Sequence, residues 1–202
     1  MEKTAIVIGA TGLVGHSLVK QLAEANHIDK IITLTRRPAK YVSAKVTNHV
    51  VDFDHLEKYN DLFKADFLFS CLGTTRSKAG TVAAQRVVDL EYQYNAAQIA
   101  AKNGVSHYLL ISSSGANAKS HKPYLKMKGE LELRVRSLGF KRISIFQPSL
   151  LIGKRSEFRF AEKIGSLVLP VLFFIPGLRR YRPITGKQVA EKMLKVSQCA
   201  GE

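Results

Sequence analysis

The sequence holds only two cysteines, Cys71 and Cys199, too few for a disulfide framework. No Cys/His cluster has zinc-ligand spacing, which argues against a structural zinc site. Cys71 lies in an apolar run and reads as a buried, inert thiol. Long hydrophobic runs are scarce too. The longest, Ile164 to Leu178, is shorter than the ~20 residues of a bilayer span and is interrupted by Pro170 and Pro176. Met1-Glu2-Lys3-Thr4 passes straight into a strand pattern, without the apolar segment and small-residue cleavage site of a signal peptide. A soluble, cytoplasmic protein is expected.

Acidic residues are sparse in one half. Residues 101–202 carry 19 Lys+Arg against 6 Asp+Glu, whereas residues 1–100 are nearly balanced at 12 against 10. The surplus reads as a solvated basic surface, or as a field that draws in an acidic ligand, a carrier protein or a membrane surface. No recognisable DNA- or RNA-binding motif accompanies it. Residues Ile164 to Leu178, flanked by Arg155, Arg159, Lys163, Arg179, Arg180 and Arg182, have the composition of a segment lying on an anionic surface. A helix over the substrate cleft or a dimer contact is the favoured reading of that segment.

What is present fits one well-cored α/β domain. The 202 residues are 46% hydrophobic and 23% charged, close to globular averages. Ala5–Ile8, Ile31–Leu34, Val50–Phe53, Phe67–Leu72, Tyr108–Ile111 and Ile143–Phe146 read as strands. Between them lie helical patterns at Val14–Ala25, Leu56–Phe63, Thr81–Lys102 and Pro123–Gly139. This alternation predicts a doubly wound parallel sheet of Rossmann type, order 3-2-1-4-5-6. Residues 154–202 are left for a small helical cap on the substrate side.

Gly9-x-x-Gly12-x-x-Gly15 follows the first strand and opens the first helix, where glycine lets backbone approach a pyrophosphate at the positive helix end. Thr11, Leu13 and Val14 belong to the same turn and are expected at the cofactor. The second strand ends in Arg36-Arg37, where a site that takes NAD places a carboxylate on the ribose hydroxyls. Two guanidinium groups suit a 2′-phosphate instead, so NADP(H) is expected over NAD(H). Asp52 and Phe53 end the third strand and are assigned to the adenine. Leu72, Gly73, Thr74 and Thr75 end the fourth and are assigned to the adjoining ribose, with Ser112 at the end of the fifth.

Tyr124 and Lys128 stand one helical turn apart. A phenol with a pKa of ~10 must lose about 4 kcal/mol of deprotonation cost to work near neutrality. One ammonium at ~4 Å supplies about that much at an effective dielectric near 20. Tyr41 and Lys45 match the same spacing, but only Tyr124 follows a strand ending in the hydroxyl run Ser112-Ser113-Ser114. Tyr124 is therefore the candidate acid/base, with Lys128 beside it and Ser113 or Ser114 orienting the reacting oxygen.

Together the Gly-Ala-Thr-Gly-x-x-Gly loop, the serine run and Tyr124-x-x-x-Lys128 resemble the short-chain dehydrogenase/reductase superfamily. A narrower resemblance, to its atypical Tat-interacting branch, is carried by Cys71-Leu72-Gly73-Thr74-Thr75-Arg76, Lys78-Ala79-Gly80, Gly115-Ala116, Lys128-Gly129-Glu130 and Arg155-Ser156-Glu157. The resemblance favours Ser113 over Ser114 and implies that Gln147 and Pro148 lie near the nicotinamide. There the superfamily often has Arg-Pro-Gly, and this chain reads Gln147-Pro148-Ser149. It implies an NADP(H)-dependent oxidoreductase for a small-molecule carbonyl/alcohol pair, or an NADPH-binding regulator without turnover, as a monomer or homodimer.

Overall fold

An unbroken apolar run suits the strand at the centre of a sheet, and β1 (Thr4–Ile8) is fully buried from Ala5 to Ile8. The computed structural model describes residues 2–152 and 183–199. β2 (Lys30–Thr35) and β4 (Phe67–Ser70) flank β1. β3 (Val46–Val50), β5 (His107–Ile111) and β6 (Arg142–Phe146) complete a six-stranded sheet, order β3-β2-β1-β4-β5-β6. Every pairing in it is parallel. The expected topology is the observed one.

Alternate residues of each strand face opposite sides of a sheet. Ile6, Leu68 and Leu110 therefore join one core with α4 (Tyr92–Lys102) and α5 (Pro123–Arg136), while Val7, Phe69 and Leu109 join the other with α1 (Leu13–Glu24). Each fully buried aliphatic side chain in these layers contributes about 1.5–3 kcal/mol.

Three elements differ from expectation, the first being the helix expected at Leu56–Phe63, where Phe53–Phe63 forms 3-10 turns with non-helical backbone at His55 and Tyr59. β3 begins at Val46, earlier than its apolar end suggested, because this edge strand carries Thr47, Asn48 and His49. Asn48 hydrogen-bonds across to the Thr33 hydroxyl at 2.9 Å, so a polar residue holds register there. The helix expected over Thr81–Lys102 is divided. Short helices α2 (Arg76–Ala79) and α3 (Val82–Arg86) lead into a π turn at Val87–Glu91 before α4. Inside that turn Asp89 is fully buried, and its carbonyl accepts a 2.8 Å hydrogen bond from the Gln93 amide.

Of the expected cap, residues 153–182 lie outside the described residues, and with them Arg155, Ser156, Glu157 and the apolar segment Ile164 to Leu178. Its last part, α6 (Gly186–Gln198), is a member of the α1 layer, burying Val189, Ala190 and Met193 in that core. A capping box of Thr185 and Gln188 starts α6 next to a two-residue pairing of β7 (Leu151–Ile152) with β8 (Ile184–Thr185). Among the described residues no helix is long and apolar enough to cross a membrane.

Candidate cofactor cleft and active site

The turn after β1 leaves room for glycine alone. Gly9 has a positive φ of 76°, and a Cβ on it would overlap the backbone of Cys71 and Leu72. A Cβ on Gly15 would overlap the Gly9 carbonyl, so α1 packs directly on the turn. The Gly12 amide closes the turn by donating to the Gly9 carbonyl at 2.9 Å. Gly12 also caps α1 without a side chain, and the first turn carries no acidic residue. The free amides and positive end of that helix suit an anion.

Above this turn lies a cleft of about 210 Å³ at the carboxyl edge of the strands. Of the residues assigned to a cofactor from sequence, Gly9, Thr11, Gly12, Arg36, Phe53, Leu72, Gly73 and Thr74 line it. Arg37 does not line it; its carbonyl accepts the Thr35 hydroxyl at 2.7 Å. Asp52 is exposed and caps the turn that follows, accepting the Asp54 amide at 3.0 Å. Thr75 similarly caps α2 through the Lys78 amide. Val14 and Gly15 are buried under the turn, and Leu13 packs against Gly186 at the start of α6.

Lys78, Val88 and Tyr92 are among the lining residues not assigned to the cofactor from sequence, and Cys71, expected as a buried thiol, is half-buried and lines the cleft as well. Val88 and Tyr92 are four apart in a helical stretch, a spacing that marks one face, and Tyr92 packs on Phe53 with ring centroids 5.5 Å apart. Lys78 and Arg36 put two cations in the lining, and no carboxylate lines the cleft among the described residues. A glycine cradle, an uncapped helix start, an aromatic wall and two cations fit a dinucleotide.

The reacting group stands at the next strand end. The loop after β5 and helix α5 meet closely: the Asn117 amide donates to the Leu125 carbonyl at 3.0 Å, and a Cβ on Gly129 would overlap Asn117 and Ala118. This contact brings the Ser113 hydroxyl to the Tyr124 phenol, close enough to influence its proton. Ser114 is held by its amide to the Pro148 carbonyl at 2.9 Å. The Ser112 hydroxyl turns away and donates to Glu132, which also accepts the Gln147 amide at 2.8 Å. Ser112 and Gln147 thus spend their side chains on one carboxylate of α5. Tyr41 and Lys45 have no such setting: the Lys45 ammonium donates to the carbonyls of Ala25 and Ile28, each at 2.9 Å, just past the end of α1.

Lys128 is 2% exposed and forms an ion pair with Asp89 at 3.2 Å. Burial pushes its pKa below the usual lysine value, and Asp89 counters that push. Tyr124 is 37% exposed. Burial raises its pKa, the negative charge of Asp89 raises it further, and the Ser113 hydroxyl lowers it. The two raising effects prevail and favour the protonated phenol, which can give a proton to an oxygen placed between Tyr124 and Ser113.

Residues 9–159 match the family described as NAD(P)H-binding. The chain belongs to that family. Within it the chain is 38% identical over 165 residues to Protein HTATIP2 of Rattus norvegicus, covering 80% of this chain and 68% of that one. It is 37% identical over 158 residues to the mitochondrial Protein FMP52 of Candida glabrata, covering 77% and 67%. These relatives place it in the atypical short-chain dehydrogenase/reductase group. A short-chain dehydrogenase/reductase family oxidoreductase from Burkholderia thailandensis shares the fold at a TM-score of 0.71 and 19% identity, covering 96% of this chain and 85% of that one. Bordetella bronchiseptica WbmH, solved in complex with NAD+, shares it at a TM-score of 0.70 and 14% identity, covering 96% and 72%. Membership in the NAD(P)H-binding family agrees with the cradle formed by Gly9, Gly12 and Gly15.

Proposed function

We propose that the chain is an NADP(H)-dependent oxidoreductase of the short-chain dehydrogenase type, acting on a carbonyl/alcohol pair. The observation that carries this reading is Tyr124 facing Ser113 near the glycine cradle, with Lys128 one helical turn further along α5. Gly9, Gly12 and the start of α1 would hold the pyrophosphate, and Arg36 with Lys78 would hold a 2′-phosphate. Reduced cofactor, when bound, supplies the hydride that a carbonyl carbon accepts. Ser113 orients the carbonyl oxygen, Tyr124 gives it a proton, and Lys128 stabilises the phenolate left behind. The basic surplus of residues 101–202 favours an acidic or carrier-bound substrate.

The test is loss of absorbance at 340 nm with NADPH across a carbonyl panel that includes anionic and carrier-linked compounds. Wild-type protein is expected to turn over at least one member. Tyr124→Phe is expected to lose about a hundredfold or more in rate, the scale of a general acid, while NADPH affinity stays within a few-fold. Normal turnover by Tyr124→Phe contradicts the role of the tyrosine. NADPH binding without turnover by any wild-type preparation favours a nucleotide-sensing protein instead.

A further inference from the structure

Asp89 has no role in the chemistry above, yet it is fully buried at the point where the cleft and the reacting group adjoin. One carboxylate oxygen faces Lys128 at 3.2 Å, and the other accepts the Thr74 amide of the cleft loop at 3.1 Å. The π turn aims it there, fixed from below by Gln93, which takes a 2.9 Å hydrogen bond from Ser70 and donates to the Asp89 carbonyl. Gln85 holds the same loop a second time, donating to the Thr74 carbonyl at 3.2 Å. Single π turns of this kind are frequent at functional sites.

The charges around Lys128 come from few places. Asp89 faces it from the π turn, Glu132 and the Tyr124 phenol belong to its own helix α5, and from β5 it meets the Ile111 carbonyl at 3.4 Å. Glu132 also serves Ser112, Gln147 and, at 3.9 Å, Arg136. Arg86, on the neighbouring turn, is committed to Glu91 and Glu130. Asp89 is thus the one direct carboxylate partner of Lys128 among the described residues. A lysine buried this deeply loses its proton readily unless a counter-charge holds it.

We propose that Asp89 is the positioning residue of this site: it keeps Lys128 charged and seated, and ties that charge to the cofactor loop at Thr74. The proposal rests on the reductase reading for its use, since a charged Lys128 is what lets Tyr124 release its proton. The coupling itself can be read without turnover.

In protein carrying [13Cε]lysine, the Lys128 resonance is assigned by its loss in Lys128→Arg and followed with pH by NMR. Asp89→Asn is expected to move its titration down by at least one pH unit, a tenfold easier loss of the proton, and Asp89→Glu to restore most of it. An unchanged titration in Asp89→Asn overturns the proposal, whether or not any carbonyl is reduced. If wild type turns over, Asp89→Asn should also move the alkaline fall of the rate to lower pH. A uniform loss at every pH overturns the positioning role. Should Asp89→Asn fold poorly, melting temperatures of Asp89→Asn, Lys128→Met and the double variant decide. The double variant is expected to melt no lower than the weaker single variant, and additive losses overturn the pairing.

Discussion

Gly129 lies where α5 meets the loop that carries Ser113, and a methyl group there would overlap the backbone of Asn117 and Ala118. Neither side can yield easily, because the Asn117 amide is fixed to the Leu125 carbonyl one turn earlier in the same helix. Gly129→Ala is therefore expected to cost about 1–3 kcal/mol, the usual range for overpacking. Separating Ser113 from Tyr124 should also reduce turnover at least tenfold. NADPH affinity should hold within a few-fold, because the glycine cradle lies on another strand end. Urea denaturation, calorimetric NADPH titration and the 340 nm rate measure the three quantities. Unchanged turnover would mean that the loop and helix do not need this contact to place Ser113. Tyr124 and Lys128 were legible because one helical turn separates them, and Gly9, Gly12 and Gly15 because a single turn holds all three. Asp89 was not legible. A lone aspartate in a helical pattern reads as a solvated face, and its partners Thr74 and Lys128 come from elements that only the folded chain brings together.

The elements were most legible where burial on both faces forces a continuous apolar run, as in β1 and β5. That pattern, with helices between strands, is enough to specify the parallel order of the sheet. Legibility failed where side chains rather than apolar period decide the backbone. β3 is held partly by Asn48 reaching Thr33 and Thr35, so its polar start looked like loop. The stretch Phe53–Phe63 carries apolar residues at helical spacing, yet it forms 3-10 turns with non-helical backbone at His55 and Tyr59. Asp52 starts it by capping, which also removes Asp52 from the cleft. The π turn follows the same logic: Gln93 and Thr74 satisfy groups that a regular helix would have turned elsewhere. α6 begins at a capping box and docks on α1 with Gly186 against Leu13, a pairing across the whole chain that local spacing does not reveal.

At the scale of the molecule, the carboxyl edge of the sheet carries the cleft and the opposite edge carries a titrating group that serves the fold. His107 opens β5, 1% exposed, with its ring nitrogen 2.9 Å from the Ser144 hydroxyl. Burial, aided by Arg142, lowers its pKa to about 4. The unfolded chain binds a proton near pH 6.5, while the folded chain resists doing so until about pH 4. Its stabilising effect is complete above pH 6.5 and is lost as pH falls toward 4. The melting temperature is thus expected to fall across that window in wild type and to fall less in His107→Gln when each is compared with its own value at pH 7.5. Parallel curves for the two proteins would contradict this assignment. At the other edge, cradle, cations and aromatic wall are read as an NADP(H) site. Calorimetric titration of the wild-type chain with NADPH and with NADH tests it most directly. One site per chain and at least tenfold tighter NADPH binding are expected, with the preference reduced in Arg36→Ala; tighter NADH binding, or binding of neither, would contradict an NADP(H) site.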